Sequence, residues 1–231
     1  MIGLAMFGAA GAGGGGAAGD PASLNLDGYW EAPFTASPWV AKASAGASGA
    51  NGDLTEATNP PTASGGDALF NGTDQLLTAA NNADTYLDVA SGTIFALVEI
   101  LSTVPDGGAG LSLFNPWIVG TGGAPYAYMS VSDDGLRCAV NNGAYREPPA
   151  VAIPAGLHLL VMRWNGTLIE QGIDGAPTES DTGSPATLAY PLIVGTSYLS
   201  TFCNMKLRML ALSKQVFDDA TCAGVAAFYG V

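Results

Sequence analysis

Few residues in this chain have the chemistry for catalysis, and their spacing argues against most of it. His158 is the only histidine. A Ser-His-Asp or Cys-His relay would have to be built on this one side chain, and no Gly-x-Ser-x-Gly elbow is present. His158 is therefore expected to be structural. Glu170 and Asp174 lie four positions apart, on the same face of a regular strand and about 13 Å apart by strand rise. That exceeds the carboxyl separation either class of glycoside hydrolase uses, and Asp174 also belongs to a turn. Asp133, Asp134, Asn141 and Asn142 carry oxygens that calcium accepts. The same residue types build hairpin turns, and turns are the expectation here, with no metal and no cofactor. The cysteines are Cys138, Cys203 and Cys222, an odd number with no Cys-x-x-Cys. Buried free thiols are expected, with a Cys203–Cys222 bridge as the alternative.

Recognition of a sugar needs aromatic platforms with polar neighbours. Trp117, Tyr126, Tyr128, Tyr145 and Arg146 are the candidates, since they occupy the middle strands and their connections. Core packing or subunit contact is the competing reading of each.

Composition narrows the classes further. The chain has 231 residues, 48% hydrophobic and 12% charged, with a formal net charge of −13 and seven Lys and Arg in total. The length suits one large all-β domain, and the apolar fraction supports a core. Without a basic cluster, nucleic-acid binding lacks its main source of affinity.

The elements that must position the candidates read as strands. Leu157 to Trp164 and Thr167 to Ile173 flank Asn165-Gly166, a hairpin signal that predicts a type I′ turn with positive φ at both residues. Asp174-Gly175 closes the unit. Thr93 to Leu101 is a near-continuous apolar run, the mark of a strand buried on both faces. Ala68 to Leu77, Leu111 to Phe114, Tyr126 to Val131 and Leu136 to Val140 continue the series. The turns fall at Asn71-Gly72, Gly107-Gly108, Gly122-Gly123, Asp134-Gly135 and Asn142-Gly143. Regular strands with turn signals between them indicate an all-β sandwich or barrel. Residues 42–67 read as a long loop.

Met1 to Gly19 has no charge, but it lacks the basic start of a secretory signal and is too rich in glycine for a membrane helix. Neither a signal peptide nor a transmembrane segment is expected. Ile2, Leu4 and Met6 alternate at the strand period ahead of Phe7 and a flexible glycine tether. Residues 1–22 are expected to form an arm whose apolar end (Ile2, Leu4, Met6, Phe7) adds to a sheet edge, and residues 23–231 a single domain.

Three segments carry a family resemblance. Phe70-Asn-Gly-Thr-Asp-Gln-Leu-Leu77 is similar to the opening strand pair of concanavalin A-like, or laminin-G-like, jelly rolls. The hairpin from Leu157 to Gly175 is similar to their central unit. Leu192 to Gly195, Lys206 to Leu212 and Ser213 to Tyr229 are similar to their final strands and terminal helical segment. Leu26-Asp-Gly-Tyr-Trp30 through Pro38-Trp39 to Ser48 resembles the subset found in tailed-bacteriophage structural proteins.

The resemblance implies an antiparallel β-sandwich of concanavalin A-like jelly-roll type, with a short C-terminal helix and an extended N-terminal arm. It also implies a non-enzymatic virion structural protein on the particle surface: a capsid decoration, spike or fibre, or tail-associated module. Its partners would be other virion proteins or copies of itself through the arm, in a homo-oligomer. The alternative is a carbohydrate-binding, lectin-like module for a host-surface glycan, and a glycosidase is a weaker one. The chain lacks a clear calcium cluster of the lectin kind.

Overall fold

A computed structural model describes residues 19–42, 52–56, 58–103, 117–121, 127–196 and 201–231, with the backbone alone at Ala80 and Trp117. The arm residues Ile2, Leu4, Met6 and Phe7 lie outside them, as do Tyr126, the expected strand Leu111 to Phe114, the turns at 107–108 and 122–123, and much of the 42–67 loop.

The strands run β1 (Gly28–Glu31), β2 (Leu54–Thr55), β3 (Thr62–Ser64), β4 (Asp67–Asn71), β5 (Leu77–Asn82), β6 (Gly92–Ser102), β7 (Trp117–Thr121) and β8 (Ala127–Ser132). They continue with β9 (Gly135–Asn141), β10 (Tyr145–Arg146), β11 (Leu157–Trp164), β12 (Leu168–Ile173), β13 (Glu179–Thr182), β14 (Pro191–Val194) and β15 (Asn204–Ser213), then helix α1 (Asp219–Tyr229). Two antiparallel sheets form a sandwich. The back sheet has the order β13-β12-β11-β6-β15-β4-β3, with β1 beside β15; the front sheet has the order β10-β9-β8-β7-β14-β5-β2.

The central back strands are apolar on both sides because both sides are covered. Ile94, Ala96 and Val98 of β6 and Leu160, Met162 and Trp164 of β11 point into the core between the sheets. Phe95, Leu97, Leu159 and Val161 point the other way, against Phe217, Cys222, Val225 and Ala226 of the C-terminal segment. Strand β6 is thus buried on both faces from Thr93 to Val98, as its composition predicts, while Glu99 and Ile100 are half-buried and Leu101 is exposed. In β15 a register shift between Leu207 and Met209 lets Met205, Leu207, Leu210 and Leu212 face the core while Met209 and Ala211 face the helix. Full burial of a side chain such as Trp164 or Leu160 contributes about 1.5–3 kcal/mol.

Helix α1 is closed at both ends by local chemistry. Asp218 caps the N-terminus, accepting from the Thr221 amide at 2.8 Å. Gly230 ends it in the left-handed region at φ 76°. The Tyr229 hydroxyl then bonds Glu31 on β1.

Two details depart from expectation. The Asn165-Gly166 turn is not type I′: Gly166 has φ +88°, but among non-glycine described residues only Asp174 has positive φ. The Asn165 side chain explains this. Its Oδ1 accepts from the Thr167 amide, the Thr167 hydroxyl and the Leu168 amide, an Asx arrangement that holds the turn without left-handed backbone at Asn165. The three cysteines are free and buried. Cys203 lies in the core and Cys222 on the helix side of the back sheet, so a whole sheet separates the pair.

Candidate functional site

A groove of about 530 Å³ lies between the β11–β12 hairpin and the start of α1, lined by Arg163, Asn165, Glu170, Val216, Phe217, Asp218, Asp219 and Ala220. Strand alternation builds one wall. Arg163 and Glu170 are cross-strand partners, both on the face away from the core. Val216 to Ala220 build the other wall, held down where the Phe217 amide donates to Thr93 Oγ1 and the Thr93 hydroxyl donates to the Gln215 carbonyl.

Arg163 sits at the base and is 8% exposed. Its Nε and Nη2 donate to Glu170 at 2.8 and 3.3 Å, Nη1 donates to the Phe217 carbonyl at 2.8 Å, and Nη2 pairs with Asp219 at 2.7 Å. Burial disfavours its charge, yet the two carboxylates outweigh burial and hold the guanidinium more firmly protonated than usual. Asp218 is pulled below the ordinary carboxylate range by hydrogen bonds from Thr221. Burial pushes the nearby Cys222 thiol up to about 11, above the ordinary thiol range. The rim therefore offers three carboxylates and one amide around an apolar patch, where Val216 is 38% exposed. Carboxylate oxygens accept several hydrogen bonds each, so such a rim can bind hydroxyl groups while the patch takes C–H surface.

The five residues chosen for sugar recognition do not form one platform. Tyr128 and Tyr145 meet on the outer face of the front sheet with ring centroids 6.2 Å apart. Tyr128 is fully buried, and burial pushes the Tyr145 hydroxyl, which interacts with Tyr128, above its ordinary value. Arg146 pairs in register with Val140, a core residue, and so faces the opposite side from Tyr145. Its stem closes on Gly183. Trp117 sits opposite Ser130 in the ladder, and Tyr126 lies outside the described residues.

His158 is structural in its contacts. Its Nδ1 lies 2.6 Å from Asp174 Oδ2, and Asp174 Oδ1 accepts from the Leu159 amide. Asp174 takes φ 56° to do so, which breaks the strand alternation that had set it beside Glu170. Glu170 serves Arg163 instead. Asp134 pairs with Arg137, and Asn141 accepts from the Gly143 amide, a turn contact. Among the described residues no group of three or more His, Cys, Asp or Glu is placed to hold a metal ion, and no helix is long and apolar enough to cross a membrane.

The groove is absent from the residues that spacing and type single out as candidates. One signal was available: Arg163 is a charge in an apolar strand, and a buried charge demands partners. Those partners, Phe217 and Asp219, lie more than 50 residues away.

No protein-family model matches the chain, and no curated protein matches it in sequence. Solved structures do share its fold. Trypanosoma rangeli sialidase in complex with 2,3-difluoro-KDN superposes with a TM-score of 0.64 at 15% identity, over 87% of this chain and 32% of the sialidase. The chain thus spans about a third of that enzyme. Domain 4 of AbnA, a GH43 extracellular arabinanase from Geobacillus stearothermophilus, in complex with arabinotriose, gives 0.60 at 12% identity, over 85% of this chain and 99% of that domain. The binding domain of botulinum neurotoxin DC in complex with SialylT gives 0.55 at 11% identity, over 77% of this chain and 45% of that one. At these identities the likeness establishes a shared β-sandwich fold.

Proposed function

We propose that this chain is a non-catalytic carbohydrate-binding β-sandwich that takes a sugar in the groove between the β11–β12 hairpin and the start of α1. The observation that carries the reading is the groove itself: Asn165, Glu170, Asp218 and Asp219 ring the apolar patch of Val216 and Phe217. Hydroxyl acceptors around an apolar patch match the two surfaces a pyranose or furanose presents. The fold neighbours support it, since an arabinanase domain that this chain covers almost completely was solved with arabinotriose.

The absence of catalysis is part of the proposal. Both oxygens of Glu170 are engaged by Arg163, and both of Asp174 by His158 and Leu159. Neither is free to serve as the acid or the nucleophile of a glycosidase. The expectations of a virion location, virion partners and a homo-oligomer rest on the sequence resemblance and on the arm, whose Ile2, Leu4, Met6 and Phe7 lie outside the described residues. None of the neighbours named above is a virion protein.

The test is a glycan array followed by calorimetry on the best ligand, with Val216→Asp as the site variant. Binding to one glycan class, lost in the variant, is the expected result. A chain that binds none of the glycans would defeat the proposal.

A further inference from the structure

Resting on that reading, we infer that the groove accepts uncharged oligosaccharides and rejects their sialylated, sulfated and uronic-acid counterparts. The argument is a census of cations. An anionic sugar is recognised by charge-assisted donors, above all by a free guanidinium or ammonium. The chain has seven basic residues against twenty acidic ones, and all seven basic residues are among those described.

Five of the seven are committed to internal carboxylates. Lys42 pairs with Glu31 at 2.9 Å, Lys206 with Glu99 at 2.8 Å and Arg208 with Asp67 at 2.9 Å. Arg137 is shared by Asp134 and Glu147, at 2.8 and 2.6 Å. Arg163, the one cation in the groove, spends four N–H groups on Glu170, Asp219 and the Phe217 carbonyl. To receive a sugar carboxylate in a forked, two-bond contact it would have to release a partner and leave a carboxylate unpaired in a half-buried place, which costs more than a rim contact returns.

That leaves Arg146 and Lys214. Neither lines the groove. Arg146 is followed in the chain by Glu147, whose amide is bound by Asp181, so acidic groups flank it. Within the groove, Glu170, Asp218 and Asp219 face any incoming anion with a single cation among them, four of whose five N–H groups are already engaged. The net charge of −13 adds a repulsive field of the same sign. A neutral glycan meets none of these costs, because its hydroxyls donate to the carboxylates that would repel an anion. The selectivity comes from like-charge juxtaposition as much as from attraction.

The experiment compares matched pairs on the intact chain. An array carries neutral oligosaccharides, including lactose and arabinotriose, beside 3′-sialyllactose and sulfated and uronic-acid analogues. Calorimetry then measures the best neutral ligand and its acidic counterpart at low and at physiological salt. The expected result is that the acidic counterpart binds roughly tenfold weaker or not at all, and that salt narrows the gap by screening. Asp218→Asn, which keeps a good helix cap while removing a charge, should narrow the gap further. Equal or tighter binding of the acidic member overturns the inference and leaves carbohydrate binding standing. Binding of neither member overturns both.

Discussion

The Tyr229 hydroxyl donates to Glu31 Oε1 at 2.6 Å, joining residues 198 positions apart. Oε2 of the same carboxylate takes the Tyr29 hydroxyl at 2.8 Å and the Lys42 ammonium at 2.9 Å. One side chain thus ties the last turn of α1 to β1 and to the chain that leaves it. At the other end of the helix Arg163 holds Asp219 and the Phe217 carbonyl. The helix that forms one groove wall is therefore clamped at both ends to the back sheet.

The Glu31 clamp predicts a pH signature. Burial opposes ionisation of Glu31, but hydrogen bonds from Tyr229, Lys42 and Tyr29 outweigh it and hold the carboxyl below its ordinary value. A carboxyl depressed in the folded state stabilises the fold fully above its unfolded pKa, and that stability is lost as pH falls through the folded value. Tyr229→Phe should cost about 2 kcal/mol at neutral pH. The Tm difference between wild type and Glu31→Gln should shrink as pH falls below the ordinary glutamate value of about 4.3. A gap that stays constant over that fall would contradict the clamp.

Arg163 predicts a contrast between a buried and an exposed ion pair. Arg163→Ala leaves Glu170 and the Phe217 carbonyl without their donor and should cost about 3 kcal/mol in urea unfolding. Lys206→Ala removes a pair whose partners are 31% and 35% exposed and should cost about 1 kcal/mol or less. Arg163→Lys should recover less than half the loss, because an ammonium cannot make the forked contact to Glu170. Equal losses for Arg163→Ala and Lys206→Ala would show that burial of the guanidinium matters less than argued.

The two sheets are joined by a polar residue on the core face of β12. Gln171 of β12 points into the core and is fully buried. Its Oε1 accepts from the Cys138 amide of β9 at 2.6 Å, and its Nε2 donates to the Pro149 carbonyl at 2.5 Å. Gln171→Leu keeps the volume but strands the Cys138 N–H and the Pro149 carbonyl, at a cost of about 2 kcal/mol. Hydrogen exchange should accelerate at the Cys138 amide first. An unchanged exchange rate there would mean the bridge is not holding the sheet edge.

These residues also show what a sequence can and cannot disclose. β6 and β11 were legible because Ile94 to Val98 and Leu159 to Met162 must be apolar on both faces when core lies on one side and helix on the other. The capped helix was legible as the terminal segment of the resembling family. Gln171 shares the core face with Ile169 and Ile173 at the strand period, but its partners, Cys138 on the other sheet and Pro149, were hidden, because no local pattern reaches them. The Asn165 turn misled because Asn-Gly fits two geometries, and side-chain acceptance by Oδ1 selected the one without positive φ at Asn165. Arg146 was grouped with Tyr145, yet adjacent strand residues face opposite ways. The groove joins a hairpin to a helix start more than 50 residues later, a distance that local pattern does not span.

The position of the sugar site is open to a direct choice between the two sheets. Val216 is 38% exposed at the groove, so Val216→Asp should leave the unfolding free energy within about 1 kcal/mol of wild type. It should weaken glycan binding at least tenfold, because it places a solvated charge where the sugar's C–H face would rest. Tyr145→Ala removes the ring that packs on Tyr128 on the outer face of the front sheet and should leave affinity unchanged while costing some stability. The reverse pattern, with binding lost in Tyr145→Ala and kept in Val216→Asp, would move the site to the front sheet, where Tyr128 and Tyr145 already meet. Calorimetry on the two variants with the same glycan decides, and thermal unfolding of each separates a lost contact from a lost fold.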